Sequence, residues 1–188
     1  MADYIEDKAI ESESFTEGIY DTTFDNCIFS KCDFSNAKIL SCTFNDCVFK
    51  DCNLSMTNLS HSTLNNVEFK GSKILGVKFN YCHDFIFEVN FNNCLLDYSS
   101  FEKRKMPKTR FKDCSLKGVD FAGADLKQSQ FINCDLNEAI FISTNIQEAD
   151  FTTSHSYTID LSQNSIKKAH FSKDGLIGLL QQYNIIIE

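Results

Sequence analysis

Residues 91–151 read FNNCLLDYSSFEKRKMPKTRFKDCSLKGVDFAGADLKQSQFINCDLNEAIFISTNIQEADF, and this stretch decides the fold. Steps of five from Phe91 land on Leu96, Phe101, Met106, Phe111, Leu116, Phe121, Leu126, Phe131, Leu136, Phe141, Ile146 and Phe151, all apolar. Two positions before most of these sits a small residue, as at Cys94, Ser99, Cys114, Ala124, Cys134 and Ala149. A period of five fits neither the roughly 3.6-residue period of a helix nor the two-residue period of a strand. It marks a short internal repeat, and such repeats set the architecture before local propensity does. A period of twenty overlies it: Phe91, Phe111, Phe131, Phe151 and Phe171 share one column, Phe101, Phe121 and Phe141 another, and Cys94, Cys114 and Cys134 a third. Four five-residue sides closing one turn explain both periods, with like residues stacked on like in successive coils.

Toward the N-terminus the same frame runs unbroken through Phe24, Phe29, Phe34, Ile39, Phe44, Phe49, Leu54, Leu59, Leu64, Phe69, Ile74 and Phe79. It then slips. Ile86, which leads into the Phe91 series, lies seven residues after Phe79, so two residues are inserted near Cys82-His83-Asp84. Phe85, Phe87, Val89 and Phe91 alternate as in a strand, so either Ile86 or the Phe85/Phe87 pair points outward. A bulge absorbs such an insertion, and an outward Phe there is either a tolerated consequence or an apolar contact for a partner. The next anomaly is Glu102–Arg110, which holds the sole proline, Pro107. Arg104 stands where a small inward residue belongs. Burying an unpaired guanidinium is costly, so the expectation is that the backbone loosens and Arg104 swings out. With Lys103 and Lys105 it would then form a basic corner, either solvated or a contact for an acidic partner. One further interruption falls at Ser156, where Tyr157 fills the gap or a small loop bulges; Leu161, Ile166 and Phe171 restore the count.

The chain has 188 residues, which suits one domain. Its aromatic content is concentrated in 18 phenylalanines with no tryptophan, as one continuous dry core would require. Eight of the nine cysteines occupy the small inward position, as does Cys82 where the first frame runs on that far. No Cys-x-x-Cys pair is present, so they read as reduced core thiols rather than zinc ligands or disulfides. An acidic N-terminus without an apolar stretch, and no run of membrane-spanning length, give the expectation of a cytoplasmic protein that does not contact membrane. Residues 1–18, with Ile5, Ile10 and Phe15 five apart, are expected to cap the first coil, and residues 19–171 to form the repeat body. Residues 172–188 change pattern. Ser172 or Asp174 can cap a short helix through Leu176–Tyr183, with Asn184 at its end, before a short Ile185-Ile186-Ile187 strand. Leu176, Ile177, Leu179, Leu180, Ile185, Ile186 and Ile187 are expected both to seal the last coil and to join two copies.

Sites for chemistry do not assemble in the sequence. His61, His83, His155 and His170 are scattered, and neither a phosphate loop nor a nucleophile elbow is present. Gly175-x-x-Gly178 reads as a helix with two glycines. The Asp residues that precede a central Leu or Phe read as turn formers bonding local N–H groups. The expectation is a protein that is not an enzyme and carries no metal or cofactor.

The triplets Ala124-Asp125-Leu126, Ala149-Asp150-Phe151, Cys134-Asp135-Leu136 and Val119-Asp120-Phe121 give the chain, over about residues 19–171, a form that resembles the pentapeptide repeat family. The resemblance implies an all-β fold, a right-handed quadrilateral β-helix with a short C-terminal helix. Residues Phe171–Ile187 and Leu75-Gly76-Val77 are similar to the Qnr and MfpA quinolone-resistance members. In those proteins a helix after the last coil joins two monomers into a DNA-like rod that binds DNA gyrase. What this implies is an acidic DNA mimic for gyrase or another topoisomerase, which binds no nucleic acid itself and forms a homodimer through its C-terminus. Partner contacts would fall at Asp120, Asp125 and Asp135 on one outward face and at Lys103, Arg104 and Lys105. The alternative is a structural scaffold or protein-binding module with another partner. Charge bears on the choice. Residues 1–59 hold 11 acids and 4 bases, residues 60–118 hold 6 and 10, and residues 119–188 hold 9 and 4. About 7.5 coils at roughly 4.8 Å make a rod of about 36 Å, a length over which B-DNA carries on the order of 20 charges. The net charge of −8 falls short of that density, and a basic middle third interrupts it.

Overall fold

The computed structural model describes residues 3–186 and contains strands β1 (Asp3–Glu6), β2 (Ala9–Glu11), β3 (Ile19–Tyr20), β4 (Thr22–Asp25), β5 (Ile28–Ser30), β6 (Ile39–Leu40), β7 (Thr43–Asn45), β8 (Val48–Lys50), β9 (Thr63–Lys70), β10 (Phe87–Asn92), β11 (Arg110–Lys112) and β12 (Gln130–Ile132), then one short helix, α1 (Leu176–Leu180). Every strand pair is parallel and joins one coil to the next: Phe24 faces Phe44, Phe29 faces Phe49, and Phe111 stands between Phe91 and Phe131. Single bridges continue the sides where strands are too short to name, as in the ladder Asp33–Asn53–Lys73–Leu95–Ser115–Asp135–His155. The result is a four-sided β-solenoid. Its corners require one residue in five to take a left-handed backbone, as at Asn26, Lys31, Asn36 and Ser41, with φ of 49°, 53°, 57° and 56°. That conformation costs an L-residue roughly 1–2 kcal/mol, so each corner is held against a local preference by the ladder bonds around it.

The inward positions carry the stabilising packing. Rings in one column lie parallel at stacking distance, with centroids 5.2 Å apart for Phe91–Phe111, 5.0 Å for Phe111–Phe131 and 4.5 Å for Phe131–Phe151. Rings in neighbouring columns meet edge to face, as Phe101 does with Phe111 at 6.0 Å and 78°. Both are favoured aromatic geometries. The small inward residue has a second task, because its side chain donates to a carbonyl of the preceding coil. The Thr144 hydroxyl bonds Phe121 O at 2.9 Å, Ser154 bonds Phe131 O at 2.7 Å, and the Cys47 thiol reaches Phe24 O at 3.5 Å. All nine cysteines are free and buried. Burial pushes the thiols of Cys47, Cys52 and Cys82 up to about 12, and Cys114 is pushed up by hydrogen bonding to Cys134 and Cys94 as well as by burial.

The acids before the central residues are turn formers. Asp33, Asp120, Asp125, Asp135, Asp150 and Asp160 each accept the N–H two residues on, at 2.8–3.2 Å.

The structure corrects some expectations and decides others that the sequence left open. Residues 3–18 are not laid over the first coil; they are the first coil, since β1 pairs with β4, β2 pairs with β5, and Phe15 stacks on Phe34 at 4.7 Å. Phe87, not Ile86, takes the inward place after the slip. It stands opposite Leu64, and the register shifts before Val89 meets Val67. At the Ser156 interruption Tyr157 turns inward, between Phe151 at 5.8 Å and Phe171 at 5.7 Å. The C-terminal segment is helical through Leu180, ends in a 3-10 turn over Gln181–Tyr183, and closes on Asn184 in the left-handed conformation. Ile185 and Ile186 do not form the expected strand, and Ile187 lies outside the described residues.

Candidate interaction surfaces

Three surfaces stand out on the exterior of the repeat. The first is the corner at 82–86, and its organiser is Arg104. Contrary to the expectation, this side chain stays inside and is 3% exposed. The guanidinium is not unpaired. Nε donates to Phe79 O at 2.8 Å, Nη1 to His83 O at 3.2 Å and to Asp84 Oδ1 at 2.7 Å, and Nη2 to Cys82 O. It also lies over the Phe87 ring, 4.7 Å from its centroid. The inserted residues and the arginine thus answer each other: the bulge turns carbonyls inward, and a planar fork of donors is the side chain that can satisfy them. Among the phenylalanines only Phe85 is fully outside, 87% exposed, with Ile86 partly exposed beside it. A groove of about 450 Å³ runs between Phe85, Phe87, Pro107, Lys108 and Thr109.

The second surface is electrostatic. Lys105 sits on the side that continues through Asp125, Asn145 and Ser165, and Arg110 on the next, through Gln130, Asp150 and His170. Lys108 occupies the left-handed corner between them. Lys103 stands at the corner before Lys105, 2.8 Å from Glu102, so part of its charge is answered locally. The basic cluster of the middle third is therefore Lys105, Lys108 and Arg110, with Arg104 removed from it. The three acids expected on one face do not share one. Asp120 belongs to the ladder Ser100–Asp120–Ile140, Asp125 to Lys105–Asp125–Asn145, and Asp135 to Ser115–Asp135–His155. Steps of five or ten residues turn a quarter or half way round the coil, so these carboxylates point in three directions. All three are half-buried and committed to their turns, and Asp135 also faces Lys117 at 3.2 Å.

The third surface is the C-terminal end. Leu179 is buried and closes the last coil, which removes it from any outer contact. Leu176, Ile177, Ile185 and Ile186 are exposed, Leu180 half-exposed, and Tyr183 is exposed among them. The two helix glycines have a structural reason that the sequence did not disclose. A Cβ at Gly175 would run into the Tyr157 hydroxyl, and one at Gly178 into the Tyr157 carbonyl. The helix therefore lies directly on Tyr157, and the Ile159 N–H reaches Gly178 O at 3.1 Å.

Sequence reasoning singled out the basic run from Lys103 to Arg110, with Arg104 wrongly turned outward, and missed Asp84 as the arginine's partner. The left-handed corner at Lys108 joins the sides that carry Lys105 and Arg110. Among the described residues no cluster of His, Cys, Asp or Glu is placed to hold a metal ion, and no helix is long and apolar enough to cross a membrane.

Comparison with known proteins bears on this geometry. A family model described as a pentapeptide repeat region matches residues 22–101, 84–152 and 104–176. Two solved structures of trypsin-treated variants of QnrB1, a plasmid-mediated fluoroquinolone resistance protein, superpose with a TM-score of 0.65 each. Their sequence identities are 18% and 22%, covering 98% and 100% of this chain and 100% of each QnrB1 chain. The chain is also similar to HetL, a pentapeptide repeat protein involved in heterocyst differentiation regulation from the cyanobacterium Nostoc sp. strain PCC 7120. That match has 13% identity over 93% of this chain and 91% of HetL, with a TM-score of 0.44. No curated protein sequence matches the chain.

Proposed function

Because the chain belongs to the pentapeptide repeat family, we propose that it works as a non-catalytic docking rod for a protein partner. Residues 19–171 are its repeat body, and residues 172–188 both seal the last coil and join two copies tail to tail. The observation that carries this reading is the apolar end formed by Leu176, Ile177, Tyr183, Ile185 and Ile186. A contiguous exposed patch of this kind marks an interaction surface, and a self-complementary patch at one end of a rod gives a closed two-fold pair.

The partner favoured first is a DNA-binding enzyme of the gyrase class, met by the acidic terminal thirds in place of duplex DNA. Support comes from the acidic balance of the terminal thirds, 11 acids to 4 bases and 9 to 4, from the tail's similarity to the quinolone-resistance members, and from the fold shared with QnrB1. One observation favours a second reading, a scaffold for an acidic protein: Lys108 lines the groove beside Phe85, with Lys105 and Arg110 on the sides that meet at its corner.

A gyrase supercoiling assay, run with and without a fluoroquinolone, separates the two. The mimic inhibits supercoiling or protects against the drug, competes with duplex DNA, and loses affinity steeply as salt rises. No inhibition and no protection at large molar excess leave the scaffold reading.

A further inference from the structure

We infer that the N-terminal end of the rod is a second docking site, built to accept a basic, extended segment of another protein as a strand added to β2. The tail is sealed by α1, but no described residue covers the first coil, and its strands β1 and β2 each have a partner on one side only. In later coils the residue before each central position sends its N–H back to the preceding coil. Ile28 bonds Lys8 O at 2.8 Å, Val48 bonds Cys27 O at 3.0 Å, and Asp33 bonds Glu13 O at 2.9 Å. By the same repeat, Ala9 and Ser14 aim their N–H groups away from the body. Acceptors follow suit: Ser30 O takes the Ser12 N–H at 2.8 Å, so its counterpart in the first coil, Glu11 O, also faces outward. Such an edge is a template for another strand.

The core is unfinished at this end too. Ile5, Ile10, Phe15 and Ile19 are only partly buried, whereas Phe24, Phe29, Phe34 and Ile39, one coil further in, are at most 2% exposed. One more layer of apolar side chains would complete the columns. Charge then decides what can supply it. Asp3, Glu6, Asp7, Glu11, Glu13, Glu17 and Asp21 surround this end, against Lys8 and against Lys31, which meets Glu11 at 3.2 Å, so the end keeps a clear excess of acid. A second copy placed end to end would set two acidic rims against each other, and the opposite end of the rod is occupied by α1. A segment bearing lysine or arginine meets neither obstacle. Over β2 the fit is specific. A residue above Ile10 would point inward, and its two neighbours, above Ala9 and Glu11, would point outward, where basic side chains meet the acidic rim. Main-chain bonds supply affinity in this mode and alternate side chains supply selectivity.

The probe is a fluorescent, end-blocked peptide, Lys-Val-Lys-Val-Lys-Val-Lys, titrated into the full chain. The expected result is saturable binding with slowed amide exchange at Ala9. Binding should fall at least tenfold for the same peptide N-methylated at alternate nitrogens, which keeps its charge and removes its strand pairing. The double variant Glu11→Lys with Glu13→Lys should lose a similar factor. Ala9→Pro, which deletes an outward N–H on an edge strand where proline is tolerated, should abolish binding while leaving the melting temperature unchanged. Equal binding of the N-methylated peptide would reduce the effect to charge and overturn the proposal. No binding at all would mean that the acids only guard the edge against self-association, which overturns it equally.

Discussion

The Phe121 ring is fully buried and meets four others, Phe101 and Phe141 in its own column at 5.5 and 5.2 Å, and Phe111 and Phe131 across the corner at 5.8 and 5.9 Å. Neighbouring coils are stacked too tightly to collapse into a vacancy there. Phe121→Ala should therefore destabilise the chain by about 3–5 kcal/mol, the usual cost of truncating a buried phenylalanine; a loss below about 1 kcal/mol in reversible denaturation would contradict the column. Such positions are legible in sequence because the period alone assigns them. Arg104 was not legible for the opposite reason. The penalty for an unpaired buried charge was weighed correctly, but the pairing is supplied by main-chain carbonyls of Phe79, Cys82 and His83, which no sequence pattern displays.

At the scale of the element, the corner at 82–86 has two registers that fit the repeat pattern. Removing His83 and Asp84 would bring Ile86 five positions after Phe79 with Cys82 as its small inward neighbour, a flawless repeat on paper. The longer register forms because it turns the Cys82 and His83 carbonyls toward a guanidinium that lies some twenty residues further along the chain. This mutual dependence predicts non-additivity. Arg104→Ser alone should cost about 3–5 kcal/mol, because it leaves inward carbonyls without donors. Deleting His83 and Asp84 in that background should recover stability, while the same deletion with Arg104 present should not. Denaturant melts of the three variants form a cycle, and additive losses would mean that loop and arginine are independent. The same element explains Phe85: the bulge that faces the arginine has no inward place left for it.

For the whole molecule, the fold class was fully readable from periodicity, whereas the distribution of surface function was not. Asp120, Asp125 and Asp135 look alike in sequence because they share a place in the repeat, but each quarter turn re-aims that place. The tail divides in the same way. Leu179 faces the coil, while Ile177 and Ile186 face away. Ile177→Asp combined with Ile186→Asp should give a folded monomer in sedimentation experiments, and Leu179→Ala should lower stability without dissociating the pair. A wild-type chain that is monomeric at high micromolar concentration would remove the tail-to-tail dimer. The uniform stacking of coils has one more consequence. Phe91, Phe111, Phe131, Phe151 and Phe171 are separated by whole coils, so the distance from the Phe85 promontory to the tail is a count rather than a continuous quantity. Duplicating twenty residues between Phe111 and Phe131 would move the two apart by about 4.8 Å and return every side chain to its own side. The rod is a notched gauge: its reach can be reset only in fixed increments, one coil at a time.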